Sequence, residues 1–267
     1  MNRFGYYDPT SVQKAVGVVP DKPDARYVAG GQSLLAAMKL GLAAPSDLID
    51  LNQIPELRGI RLEGGGTSIN IGAMTRHSEV ADSVEIGARI AALAALASMI
   101  GDRQVRNRGT LGGSLANNDP AADYPAAVLA LGATVNTDKR PIKADEFFKG
   151  LYQTALAPGE LIKSVTFPIP KKAAYMKFKN PASRFAIVGV FVAKSASGVR
   201  VAVTGAGPGV FRANALEAAL ARDFSPAAIE KITIDAAPLS SDIHADAEYR
   251  AHLVTVMAQR AVLAAAL

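Results

Sequence analysis

The order of apolar and polar segments predicts an α+β protein in two parts. Three observations carry this reading. In the first third, short apolar runs alternate with helix-forming stretches. At Pro168 and Pro170, followed by Lys171 and Lys172, a proline-punctuated turn interrupts the chain. Beyond it, three short strands are followed by helices, the order of a separate α+β layer. The 267 residues are 49% apolar and 20% charged, a composition that builds packed cores and excludes a disordered chain.

Taken in order, residues 26–29 form a strand that stops at Gly30-Gly31. Ser33 offers an N-cap to a helix over 34–39, which Gly41 closes. Residues 47–51 read as a buried strand. Residues 58–63 and 67–71 read as a hairpin turned by Gly64-Gly65-Gly66. Residues 85–104 predict one long helix with an apolar stripe at Ile86, Ile90, Leu93 and Ala97. A loop-rich stretch, 106–125, leads to a helix at 126–131. Strands at 134–137 and 161–167 follow, with Phe147 and Phe148 packing between them. Past the boundary, strands are expected at 174–179, 186–193 and 199–204, then helices at 213–221, 227–232 and 246–267.

Cysteine is absent, which excludes disulfides, a thiolate nucleophile, a zinc ribbon and a cysteine-ligated iron–sulfur cluster in this chain. His77, His244 and His252 show no i, i+4 pairing and read as solvated or structural. No Gly-x-Ser-x-Gly elbow supports a serine hydrolase. The net charge of +5 is modest. Its clusters, Arg103, Arg106 and Arg108, then Lys171, Lys172, Lys177 and Lys179, lack interleaved aromatics, and the chain has no Trp. Nucleic acid is therefore not the expected partner; a solvated basic face and an anion or partner site stay equally open. No apolar run reaches the ~18 residues of a membrane span. The first nine residues lack the apolar core of a signal peptide, so the expected location is cytoplasmic.

Three glycine loops remain. Ala29-Gly30-Gly31-Gln32-Ser33-Leu34 lies between a strand and a helix, where consecutive glycines bring backbone N–H groups close to an anion. A plain tight turn would use similar residues. Arg106-Asn107-Arg108-Gly109-Thr110-Leu111-Gly112-Gly113-Ser114-Leu115 gathers glycines, hydroxyls and guanidiniums suited to a phosphate. Asn117-Asn118-Asp119-Pro120-Ala121-Ala122-Asp123 follows, with carboxylates able to accept from hydroxyl groups; an irregular connection with Asp119 and Asp123 as turn residues is the alternative. Gly205-Ala206-Gly207-Pro208-Gly209 reads as a tight turn feeding the next helix.

The first two loops, followed by Asn118-Asp119-Pro120-Ala121-Ala122-Asp123 and later by Ala202-Val203-Thr204-Gly205 and residues 241–250, resemble the FAD-binding medium subunit of molybdenum hydroxylases. That group includes aerobic carbon monoxide dehydrogenase and subunit-split xanthine dehydrogenases. The resemblance implies a vanillyl-alcohol-oxidase (PCMH)-type FAD-binding region of two α/β subdomains, about 1–56 and 57–170, and a smaller α+β domain at 171–267. It implies that the FAD pyrophosphate lies between the loops, at Ala29, Gly30, Gly31, Gln32, Ser33 and Leu34 and at Thr110, Leu111, Gly112, Gly113 and Ser114. Asp123 would bind a cofactor hydroxyl, and Leu161 and Lys179 resemble further flavin-contacting positions. No catalytic side chain and no protein-bound metal are implied. Ser114 stands where many relatives carry Asn or Asp, and the Asp expected just before Phe185 is replaced by Arg184.

The family scheme implies a molybdenum cofactor-binding large subunit, a small 2Fe-2S subunit and an external electron acceptor. It would make this chain an oxidoreductase subunit that takes electrons from the clusters and hands them on. A free-standing FAD oxidase or reductase with the same cradle is the alternative. A cofactor-free scaffold or nucleic-acid binder is a third.

Overall fold

Three successive sheets organise the chain, for which a computed structural model describes residues 2–266. The first sheet is parallel. It contains β1 (Gly5–Tyr7), β2 (Arg26–Val28) and β3 (Asp47–Asp50) in the order β1-β3-β2. The crossovers are α1 (Val12–Val18) and α2 (Leu34–Lys39). Ser11 caps α1 by accepting from the Lys14 N–H. Ser33, by contrast, makes no capping bond to α2, although Gly41 at φ +74° ends that helix as expected.

The second sheet is antiparallel. Strands β4 (Ile60–Glu63) and β5 (Ser68–Gly72) form the expected hairpin, and Gly64, Gly65 and Gly66 between them all take positive φ. The remaining strands are β6 (Thr134–Thr137), β7 (Pro141–Lys143) and β10 (Ile162–Pro168), giving the order β4-β5-β10-β6-β7. A small ribbon of β8 (Phe148–Gly150) and β9 (Gln153–Thr154) precedes β10.

Between β5 and β6 lies a helical layer of α3 (His77–Ala81), α4 (Val84–Arg89), α5 (Ala91–Ser98), α6 (Arg103–Arg106), α7 (Leu111–Asn117) and α8 (Tyr124–Ala130). The single helix expected at 85–104 is thus three. Ile90, at φ −135° and ψ 61°, breaks it first, and Gly101, at φ +49°, turns it again. Conversely, a helix occupies part of the stretch expected as loop. Thr110 caps α7 by accepting from Gly113 N–H. Gly112 lets the helix sit against β5's end, because a Cβ there would lie 2.5 Å from Ala73 Cβ.

After α9 (Ala144–Phe147) and β10, the third sheet runs β11 (Lys172–Lys179), β12 (Ala186–Ser195), β13 (Gly198–Thr204) and β14 (Phe211–Arg212), antiparallel throughout. Helices α10 (Asn214–Arg222) and α11 (Ala247–Ala266) follow; the helix expected at 227–232 is a short 3-10 turn, Pro226–Ile229. Leu267, the last residue of the expected final helix, lies outside the described residues. Among the described residues, no helix is long and apolar enough to cross a membrane.

The period-2 alternation of strands sends the third sheet's side chains two ways. Val190, Val192, Val201 and Val203 meet α10 and α11 in one core. Tyr175, Phe191, Ala193 and Ala202 point the other way and join the core of the second sheet and α5, α7 and α8. One hydrophobic core therefore spans both parts of the chain.

Candidate cofactor site

A cleft of about 610 Å³ opens between the first two sheets and the loop joining β11 to β12, within the roughly 300–1,000 Å³ usual for ligand sites. Its floor is the meeting of the two glycine loops. Asn52 Nδ2 donates to Ala29 O at 3.1 Å and fixes the first. The second is tied down by His77 N–H to Gly109 O (3.0 Å) and Leu111 N–H to Thr75 O (3.1 Å). Gly30 lies so close to the second loop that a Cβ on it would stand 2.2 Å from Arg108 O. Gly31 takes φ +72°.

The two loops offer different donors. Among the described residues, no acceptor meets the amide N–H of Gly30, Gly31, Gln32 or Ser33, so the first loop presents a row of unclaimed donors. In the second loop the amides are mostly used: Gly112 donates to Ala73 O, Gly113 to Thr110 Oγ1 and Ser114 to Thr110 O. What it offers is the hydroxyl hydrogens of Thr110 and Ser114 and a backbone bare of side chains. Backbone donors on one side and hydroxyls on the other suit a phosphate-bearing group such as the FAD pyrophosphate. The residues present fit that group.

Of the positions expected from sequence, Ala29, Gly30, Gly31, Gln32, Ser33, Leu34, Thr110, Gly112, Gly113, Ser114, Asp123 and Leu161 all line the cleft. Leu111 does not; its side chain is fully buried in the main core. Lys179 does not either. A β-bulge between Phe178 and Lys179 shifts the register, and Lys179 ends β11 exposed. The side chain of Lys177, expected within a basic surface cluster, is instead 1% exposed and donates to Asp123 Oδ2 at 2.9 Å and to Met99 O at 3.1 Å. Tyr175 donates its hydroxyl to Asp123 Oδ1. Burial pushes the Asp123 carboxyl above its ordinary value, against the pull of the Lys177 ammonium and the Tyr175 hydroxyl.

His77, read from sequence as solvated or structural, is not solvated. Its ring is buried, lines the cleft, and packs at 5.3 Å from the Tyr124 ring. Neither His77 Nδ1 nor the Tyr124 hydroxyl finds a partner among the described residues. Burial first, and Arg106 second, hold His77 down at about 4, so it is neutral at pH 7. The far wall is completed by Ile100, Gly101, Ser183, Arg184 and Phe185, and by Tyr152, whose hydroxyl donates to Asp119. Arg184 takes φ +63° and donates to Gly101 O at 3.4 Å.

Residues 2–170 match the family described as the FAD binding domain in molybdopterin dehydrogenase, and residues 173–265 match the carbon monoxide dehydrogenase flavoprotein C-terminal domain. The chain belongs to the FAD-binding medium-subunit family of molybdenum hydroxylases. Its members include the carbon monoxide dehydrogenase medium chain of Hydrogenophaga pseudoflava, 37% identical over 98% of this chain and 97% of that one. The nicotine 6-hydroxylase medium subunit of Paenarthrobacter nicotinovorans is 36% identical over 97% and 96%. Among solved structures, carbon monoxide dehydrogenase of H. pseudoflava superposes with a TM-score of 0.88 at 38% identity, over 99% of this chain and 97% of that chain. Quinoline 2-oxidoreductase of Pseudomonas putida 86 gives 0.89 at 31% identity over the same shares. As a medium-subunit family member, the chain is an oxidoreductase flavoprotein with FAD as its cofactor and the α+β fold of that group.

Proposed function

We propose that this chain is the electron-transferring FAD subunit of a molybdenum hydroxylase, working with a molybdenum cofactor-binding large subunit and a small 2Fe-2S subunit. When bound, FAD would supply the redox chemistry that links the partner's clusters to an external acceptor. The chain's own residues bind and orient. The first loop's free amides and the Thr110 and Ser114 hydroxyls would hold the pyrophosphate, Asp123 would accept from a cofactor hydroxyl, and Leu161 lies along the cleft wall.

The observation that carries this reading is the backbone-to-backbone approach of the two loops, with a row of unclaimed amide donors on the first. The lack of cysteine supports the partner assignment, because the chain has no thiolate to hold an iron–sulfur cluster. Residues 1–170 form the proposed FAD-binding domain, with subdomains about 1–56 and 57–170, and 171–267 the proposed C-terminal domain. The confinement of the parallel sheet to 5–50 and of the second sheet to 60–168 supports that division. We place the assembly in the cytoplasm.

Purification from the native source under anaerobic conditions tests the proposal. Molybdenum and iron should co-elute with this yellow chain, and substrate added to the complex should bleach its flavin absorbance. A yellow chain that runs alone and turns over by itself would refute the partner assignment. A chain that cannot be reconstituted with FAD would refute the whole reading.

A further inference from the structure

The side of the cleft that carries Asp123 is not self-sufficient. The segment 120–123 hangs between two elements of the third sheet. Thr204 donates its hydroxyl to Ala122 O at 2.6 Å, and Gly205 N–H donates to Pro120 O at 2.8 Å. Tyr175 and Lys177, two residues apart on β11, share one face of that strand and each take one oxygen of the Asp123 carboxylate. Gly189, opposite Lys177 on β12, leaves room for this, since a Cβ there would stand 2.2 Å from the Tyr175 hydroxyl. The Lys177 ammonium also holds Met99 O, next to Ile100 and Gly101, which line the same cleft.

A carboxylate has about four acceptor positions, and Tyr175 and Lys177 occupy one on each oxygen. Asp123 itself lines the cleft. A buried carboxylate without a partner is costly, and the group then neutralises or turns away. We propose that Lys177 and Tyr175 are positioning residues for the cofactor: by holding Asp123 as an aimed hydrogen-bond acceptor from the C-terminal sheet, they make FAD affinity depend on the docking of that sheet. This rests on the FAD reading above. It extends that reading, because neither residue lines the cleft and both lie in the part of the chain beyond the glycine loops.

A double-mutant cycle on the full-length apo chain, titrated with FAD, tests the inference. Lys177→Met should weaken FAD binding by about 10–100-fold, because an Asp123 without its cation neutralises or turns from the cleft. Lys177→Arg, which keeps the cation, should recover most of the affinity. In an Asp123→Asn background, Lys177→Met should change the FAD Kd by less than about threefold, because its route to the cofactor is already gone. Equal losses in both backgrounds would show that Lys177 acts only on folding and would overturn the proposal. So would a Lys177→Met chain that binds FAD like the wild type. Should Lys177→Met not fold, Tyr175→Phe carries the same cycle, with an expected loss of about 10–100-fold for one hydrogen bond to a charged group. A wild-type chain that binds no FAD would instead refute the parent reading.

Discussion

Replacing Gly30 by alanine isolates what the meeting of the loops contributes. The new Cβ would stand 2.2 Å from Arg108 O, 2.7 Å from Arg108 C and 2.8 Å from Gly109 Cα. Ordinary carbon contacts lie at about 3.5–4.0 Å, so the loops would have to separate by roughly 1 Å. All three obstructing atoms belong to the backbone. They cannot swing aside, because Gly109 is pinned at both ends by its N–H to Val105 O (2.7 Å) and its carbonyl to His77 N–H (3.0 Å). Overpacking of this kind costs about 1–3 kcal/mol. A 1 Å opening also displaces the first loop's donors from the second loop's hydroxyls, and we expect FAD affinity to fall about 10–100-fold, or roughly 1.4–2.8 kcal/mol. Gly17, inside α1 with nothing within 4 Å of where a methyl would stand, is the matched control. Gly17→Ala should raise stability by about 0.4–1 kcal/mol and leave FAD binding unchanged. Urea unfolding and flavin fluorescence titration read both quantities. A Gly30→Ala chain with wild-type FAD affinity and an unshifted urea midpoint would refute the steric reasoning.

Three further outcomes follow from buried charged or titratable groups. His77 is held at about 4 against an ordinary 6.5, so the unfolded chain binds its proton first; stability should be complete above about pH 6.5 and fall as pH drops toward 4. His77→Gln should flatten that segment of the stability–pH curve measured by urea unfolding. Burial alone would raise the Glu160 carboxyl, but hydrogen bonds from Arg140, the Ala157 N–H and Thr137 outweigh it and hold the group at about 2. Its contribution is therefore present above the ordinary 4.5 and lost between there and about 2. Arg140→Gln should move the acid-unfolding midpoint upward, as followed by circular dichroism. Arg250, 3% exposed, donates to Ile187 O (2.7 Å), Gly205 O (2.9 Å) and Asp242 Oδ2 (2.6 Å). Arg250→Met strands the two carbonyls and should cost about 2–5 kcal/mol in chemical denaturation.

What could be read from the chain were features set by neighbours in sequence. The glycine turn at 64–66, the strand at β3 and the approach of Gly30-Gly31 to a helix are local matters of backbone freedom and apolar patterning. The helix at α7 is not legible because Gly112 and Gly113 have poor helix propensity. They are tolerated there for a reason invisible in sequence, namely the absence of room, beside Ala73 for Gly112 and beside Thr110 for Gly113. The break at Ile90 is equally opaque, since nothing in an alanine-rich run marks where α4 must end to pack against α5. Lys177 shows the limit most clearly. Its neighbours in sequence are those of a solvated basic run, while the partner that buries it, Asp123, is 54 positions away. The conformation of Lys179 turns on a single extra residue in a ladder, which composition does not report.

Because Tyr175, Phe191, Ala193 and Ala202 supply side chains to the core of the second sheet, a cut in the gene after codon 170 would not yield two well-behaved products. The upstream fragment would bare an oily face over α5 and α8, and the downstream one would show the reverse side of its sheet to water. Calorimetry of the intact chain should accordingly record one endotherm, and split halves should regain solubility only when co-expressed.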